Sequence, residues 1–161
     1  MQKGWTRLNR KFIKCFLLFF LVFSFAFSSP AVSEAANPVV RLETTQGDIT
    51  IELYPDQAPK TVANFLFYVT NGLYDGDDGA GATIFHRVMS DFVIQGGGFS
   101  TPFYSLPNPE NALKNTTFPI PNEADNGLKN EKYTISMART GNPHSATSQF
   151  FINLKDNEDL D

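Results

Sequence analysis

The sequence is poor in the residues that most often carry covalent and metal chemistry. Its 161 residues include one cysteine, Cys15, and two histidines, His86 and His144. Cys15 lies in the apolar run "CFLLFFLVFSFAF", behind a cationic start of Lys3, Arg7, Arg10, Lys11 and Lys14. "SSPAVSEAANP", with its small residues, follows. That order reads as a secretory signal peptide over residues 1–35, cleaved after Ala35, with Ala31 and Ala36 as alternative sites. The competing reading is an uncleaved anchor, but a span needs about 20 apolar residues and the run is shorter. Once the segment is removed no thiol remains, which excludes disulfides and cysteine metal sites. This suits an oxidising exterior compartment. A periplasmic or secreted location is expected, with no membrane contact after cleavage.

Positive charge is scarce too. Five of the 13 Lys/Arg lie in the leader, leaving eight from residue 37 onward. One of the 17 Asp/Glu, Glu34, goes with it, leaving 16 and a net charge of −8. Such a surface repels nucleic-acid phosphates, so nucleic acid is set aside as a partner. The remaining segment, Asn37 to Asp161, is long enough for one domain with a modest core.

Hydrophobic periodicity organises that domain. In "VVRLETTQGDITIELY" the residues Val40, Leu42, Ile49, Ile51 and Leu53 alternate with polar ones, and Gln46-Gly47-Asp48 supplies a turn, predicting a hairpin. In "PDQAPKTVANFLFYVTNGLY" the period changes. Val62, Phe65, Leu66 and Val69 are spaced as one face of a helix, with Pro59 near its start and Gly72 just past its end. "DGDDGAGA" reads as a polar loop. "TIFHRVM", "FVIQGG", "YTISMAR" and "SQFFINL" read as strands, with an irregular Pro/Asn-rich stretch from Ser100 to Asn126. The pattern is mostly β with one early helix, so a barrel or sandwich is predicted.

The segment "FHRVMSDFVIQGGGFS" raises the question of function. A phosphate loop needs glycines running into Lys-Ser/Thr and a helix, yet Gly96-Gly97-Gly98 leads into Phe99-Ser100-Thr101-Pro102. The spacing and the missing βαβ unit exclude a dinucleotide fingerprint as well. A tight backbone bend after a strand is the preferred reading. "DGDDG" fails the EF-hand pattern, because Ile84 stands where the distal Glu belongs. His86 and His144 alone make a weak zinc site. No nucleophile elbow is present. His86 could be a lone general base, though a hydrogen-bonded structural histidine is the commoner case. Phe85 and Arg87, two residues apart, are predicted to share one strand face, with His86 on the other. An arginine beside apolar residues is costly unless its charge is used. A surface arginine with a buried stem is an equal reading.

The motifs "TIFHRV…FVIQGGG" and "ATSQFFINL" resemble the two signatures of the cyclophilins, which are peptidyl-prolyl cis/trans isomerases. "NEADNGLKNEKYTISMAR" is similar to the segment between them, and "APKTVANFLFYV" to the first helix. The resemblance covers residues 39–161, and with the leader it points to the periplasmic cyclophilins of bacteria. It implies a cyclophilin-like domain over residues 37–161, a closed eight-stranded antiparallel β-barrel with two helices. It implies Arg87 as the catalytic arginine, Phe92 and Phe151 as pocket aromatics, and Gln95 and Gln149 as glutamines lining the groove. Phe85, His86, Val93 and Leu160 are implied contacts to substrate. Ala138 and Arg139 match the strand that offers backbone hydrogen bonds to a peptide. The implied substrate is an Xaa–Pro segment of a folding polypeptide, handled by a monomer. Rotation about that bond breaks no bond, so no metal and no cofactor are implied.

The sequence departs from the family in three places. Asp159 stands where the family usually has Trp or Phe, which predicts weaker grip and loss of cyclosporin binding. "DGDDGAGA" is longer than the usual link. The chain stops at Asp161, before the family's closing strands, second helix and pocket histidine, so an incomplete domain is expected, with open sheet edges. The alternative function is a non-catalytic proline-peptide or chaperone module.

Overall fold

The computed structural model describes residues 36–161, so the expected signal peptide lies outside the described residues. Two strands come first, β1 (Val39–Leu42) and β2 (Ile49–Glu52), paired antiparallel with Leu42 opposite Ile49 and Val39 opposite Glu52. The predicted turn joins them. The Gly47 amide donates to the Thr44 carbonyl (3.2 Å), and the Thr44 hydroxyl donates to the Gly47 carbonyl (2.6 Å). Alternation then buries Ile51 and Leu53.

Helix α1 (Pro59–Thr70) follows where the 3.6-residue period predicts it. Val62 and Phe65 are buried, and Leu66 and Val69 pack partly buried beside them. Pro59 occupies the first turn, where a missing N–H costs nothing. Gly72 follows the last turn in the left-handed region (φ 68°), the usual helix ending. The helix lacks a local cap, because Ala58 at the N-cap has no side-chain oxygen. Glu123 fills that role from far along the chain, accepting from the amides of Lys60 (3.1 Å) and Thr61 (2.8 Å).

β3 (Arg87–Val88), β4 (Val93–Gly96), β5 (Ile135–Met137) and β6 (Phe150–Asn153) form a second antiparallel sheet in the order β3-β4-β6-β5. The described residues thus form two open antiparallel sheets and a single α-helix. The eight-stranded closure and second helix of the expectation are not found among them.

The core joins both sheets to the helix. Ile51, Leu53, Val62, Phe65 and Phe150 make its centre. Phe150 is met edge-to-face by Phe65 (5.6 Å), Tyr74 (5.6 Å) and Phe85 (5.9 Å), the arrangement that ring quadrupoles favour. Burial pushes the Tyr74 hydroxyl far above its ordinary pKa, and it donates to the Ser148 carbonyl (2.8 Å).

The "DGDDGAGA" loop is tied down by a buried lysine. The Lys114 side chain has 0% exposure. Its ammonium donates to Asp78 (2.8 Å) and to the Gly81 carbonyl (2.5 Å), while its backbone amide donates to the Gly98 carbonyl (2.9 Å). The Lys114 hydrogen bond and the Ala80 amide hold the Asp78 carboxyl below its ordinary pKa.

Candidate active site

The glycine run acts as a bulge. Thr83 bridges Ser100 and the Ile84 amide donates to the Phe99 carbonyl, whereas Arg87 pairs with Gln95. Between those pairs Phe85 and His86 face Gly96, Gly97 and Gly98, so one strand holds an extra residue. Gly97 has φ 82°, the left-handed conformation such a bulge requires. A Cβ there would lie 2.7 Å from the Ser148 carbonyl oxygen. The preferred bend after a strand is therefore observed in this form.

The bulge also corrects the predicted face-sharing of Phe85 and Arg87. Phe85 turns to the core and packs on Phe150, while Arg87 lies on the opposite face, beside Gln95 and Phe151. Alternation assumes a regular strand, and the extra residue breaks it. His86 packs its ring on Phe99 (4.7 Å) and Phe103 (6.0 Å). Its Nδ1 is buried without a hydrogen-bond partner, and burial lowers its pKa. So neither side chain is among the groups bonded to Arg87. The His86 carbonyl receives the Tyr104 hydroxyl (3.1 Å).

On the opposite face of the second sheet a polar and aromatic cluster forms. Arg87 Nε donates to the Met89 sulfur (3.1 Å) and Nη1 to Gln95 Oε1 (3.3 Å). Gln95 Nε2 donates onward to Gln149 Oε1 (2.8 Å). The guanidinium carbon stands 5.7 Å from the centre of the Phe92 ring. Strand pairing sets Gln95 opposite Phe151, and Val93, buried, opposite Asn153. The implied residues Arg87, Phe92, Gln95, Gln149 and Phe151 are therefore brought together. The guanidinium is exposed but aimed by three neighbours, so its charge is available to a molecule lying on this face.

The remaining implied residues are less uniform. The Ala138 amide donates to the Gln149 carbonyl (2.8 Å), so a peptide cannot take that donor. Arg139 turns its guanidinium onto the Thr140 carbonyl (3.0 Å). Leu160 ends a short 3-10 helix, Glu158–Leu160, and is exposed, as is its neighbour Asp159. Concavities lined by Asp125, Leu128 and Asp161, and by Phe67, Tyr68 and Thr117, do not include Arg87 or Phe151. The Arg87 cluster is an open face. Sequence reasoning missed Met89, which sits two residues from Arg87 and could have been found by strand alternation. It also missed Asn153 and Asn157, polar residues that carry no such signal.

The comparisons with known proteins point to one family. The sequence pattern of the family described as "Cyclophilin type peptidyl-prolyl cis-trans isomerase/CLD" matches residues 39–161. The chain is 58% identical over 118 residues to a Streptomyces antibioticus protein named peptidyl-prolyl cis-trans isomerase cyp18, covering 73% of this chain and 63% of the relative. It is 50% identical over 122 residues to peptidyl-prolyl cis-trans isomerase B of Escherichia coli, covering 76% and 66% respectively. The chain thus spans just under two thirds of the length of these relatives. A Cryptosporidium parvum cyclophilin crystallised in the presence of the dipeptide Ala-Pro superposes with a TM-score of 0.61 at 30% identity, covering 77% of this chain and 72% of that one. On the sequence match and the shared fold, the chain belongs to the cyclophilin-type peptidyl-prolyl cis-trans isomerase family.

Proposed function

We propose that this protein accelerates rotation about Xaa–Pro bonds in other polypeptides, with Arg87 as the main catalytic residue. The observation that carries the proposal is the guanidinium held beside Phe92 by Gln95 and Met89. The names of the relatives and the Ala-Pro dipeptide of the Cryptosporidium protein support it.

The chemistry follows from amide resonance. The barrier to rotation is about 18–20 kcal/mol, because the C–N bond has partial double-bond character. Twisting the bond removes that resonance and returns a lone pair to the proline nitrogen. A cationic donor aimed at this nitrogen binds the twisted state better than either planar one, and only that difference raises the rate. Phe92, Phe151 and Leu160 offer apolar surface for the ring, with Val93 buried beneath, at about 0.8 kcal/mol per buried CH₂. Their grip is equal in ground and twisted states, so it lowers KM without raising kcat. Gln95 and Gln149 offer amide groups for the substrate carbonyl. An acceleration of about 10⁵ requires roughly 7 kcal/mol of differential binding.

The location and clients belong to the same proposal. The leader in residues 1–35 supports export, which makes folding polypeptides of the bacterial exterior the substrates and the protein a chaperone-like assistant there. The acidic surface supports a monomer free of nucleic acid. The two sheets are read as arcs of a cyclophilin barrel, because one core joins Ile51 and Leu53 beside the first to Phe150 of the second.

Exchange NMR on a short Ala-Pro peptide with the full chain tests the activity. Wild type is expected to broaden the cis and trans signals, and Arg87→Ala to lose about 10²–10³ of the acceleration while keeping its dispersed spectrum. A folded Arg87→Ala protein with full exchange would remove Arg87 from the mechanism. Peptide binding by wild type without exchange would make it a proline-peptide binding module instead.

A further inference from the structure

Asn157 is a buried polar residue for which the reaction described above has no use. It is 5% exposed, and its neighbour Asn153 is 0% exposed. Both protons of its amide are placed. Nδ2 donates to the Phe92 carbonyl (3.1 Å) and to Asn153 Oδ1 (2.8 Å). Its main-chain carbonyl accepts from the Leu160 amide (2.9 Å), and its own amide donates to the Asn130 carbonyl (2.8 Å). One residue thus grips the backbones of Phe92 and Leu160, which come from distant parts of the chain.

A ladder of side chains stands behind it. Asn153 Nδ2 donates to the Thr134 hydroxyl (2.9 Å) and to Asn130 Oδ1 (3.3 Å), and Asn130 Oδ1 also accepts from the Ser136 hydroxyl (2.8 Å). Each member is satisfied by the next, which makes such a network rigid. Phe92 needs that support. It follows Asp91, whose φ of 56° is the left-handed conformation that non-glycine residues adopt at a cost. The turn holds only its amide, which donates to the Met89 carbonyl (3.2 Å). Its carbonyl is held from the other side by two donors, the Leu154 amide (2.9 Å) and Asn157 Nδ2.

We propose that Asn157 is a positioning residue of the isomerase site, setting the separation of Phe92 and Leu160 so that a proline ring fits between them. This rests on the proposed peptidyl-prolyl reaction only in naming the ring as the occupant. Asn157 itself touches no substrate. Its effect is on grip, which is equal for planar and twisted amide, so its loss raises KM and leaves kcat.

The test compares Asn157→Ala and Asn157→Ser with Val62→Ala in the full chain, well below their unfolding temperatures. Val62 lies in the helix core and serves as a control for lost stability. Exchange NMR over a range of Ala-Pro peptide concentrations gives KM and kcat, and a titration gives the peptide Kd. Asn157→Ala is expected to raise KM and Kd about five-fold, the worth of one hydrogen bond, with kcat within about two-fold of wild type. Asn157→Ser, whose hydroxyl can restore one donor, is expected to fall between, and it carries the test if the alanine variant does not fold. Val62→Ala is expected to keep both constants. Unchanged KM and Kd in folded Asn157 variants, or an equal rise in Val62→Ala, overturns the proposal. A wild type that binds peptide without exchange refutes the isomerase reading alone, because Kd still decides the role of Asn157. A wild type that does not bind peptide overturns both.

Discussion

Removing Glu123 should loosen a helix that lies 63 residues away in the sequence. In Glu123→Ala the amides of Lys60 and Thr61 lose their acceptor, and the positive end of the α1 dipole loses its facing charge. Loss of a cap costs about 0.5–2 kcal/mol, and a charge at a helix end adds about 0.3–1 kcal/mol. The two overlap, and water replaces part of the bond at this half-exposed site, so about 1.5 kcal/mol is expected at neutral pH. In a domain of this size that lowers Tm by roughly 5–9 °C. Desolvation pushes the Glu123 carboxyl up, but the hydrogen bonds from Thr61 and Lys60, with the Lys60 charge, outweigh it and leave the pKa below 4.5. A carboxylate whose pKa is lowered by folding stabilises fully above its unfolded value and less as pH falls through the folded one. The gap between wild type and Glu123→Ala should therefore be open at pH 7 and narrow as the pH falls through and below the ordinary glutamate range. His86 is shifted down by burial, so protonation weakens the fold as pH falls from 6.5, but equally in both chains, and this cancels in the difference. Thermal unfolding followed by near-UV circular dichroism reads the gap. A gap under about 1 °C at pH 7, or one that persists in acid, would refute the capping argument.

Two glycine variants separate folding from the site. A Cβ at Gly97 meets the Ser148 backbone 2.7 Å away and adopts φ 82°, so Gly97→Ala should cost about 1–3 kcal/mol in denaturant unfolding. The three atoms nearest a Cβ at Gly98 all belong to the Gln149 side chain, 2.4–2.5 Å away, so that flexible side chain has to move aside. Gly98→Ala should therefore fold nearly as well and instead lose peptide exchange, as Gln149 is displaced from Gln95. Lys114→Met leaves Asp78 and the Gly81 carbonyl without their donor, at a cost of about 1–3 kcal/mol. Hydrogen exchange should show the loss concentrated in residues 75–82.

Local pattern made some elements legible and left others hidden. Helix α1 and the first hairpin could be read directly, because spacing and turn residues are signals within one stretch of chain. The partners of Arg87 were reached through resemblance, since nothing local says that Gln95 will lie opposite Phe151. The bulge escaped because three glycines carry no side chains to reveal a change of face, so Phe85 was assigned to the wrong one. Glu123 and Asn157 escaped for another reason. Each looks like an ordinary surface residue until a segment tens of residues away brings its partner. The closed barrel is an expectation about pairing across a whole sheet, and the described residues form two separate open sheets.

Strand β6 places Phe150 and Phe151 back to back, one packed under three rings and the other on the Arg87 face. No layer separates the two environments. The sheet behaves as a single plate whose underside is the packing and whose upper surface is the workplace. A change in the three rings that meet Phe150 directly, Phe65, Tyr74 and Phe85, therefore bears on the Arg87 face without passing through a flexible joint, whereas Val62 in the helix is not one of them. Variants of those rings should be assayed for turnover as well as for melting temperature, because there the two readouts share one mechanical part.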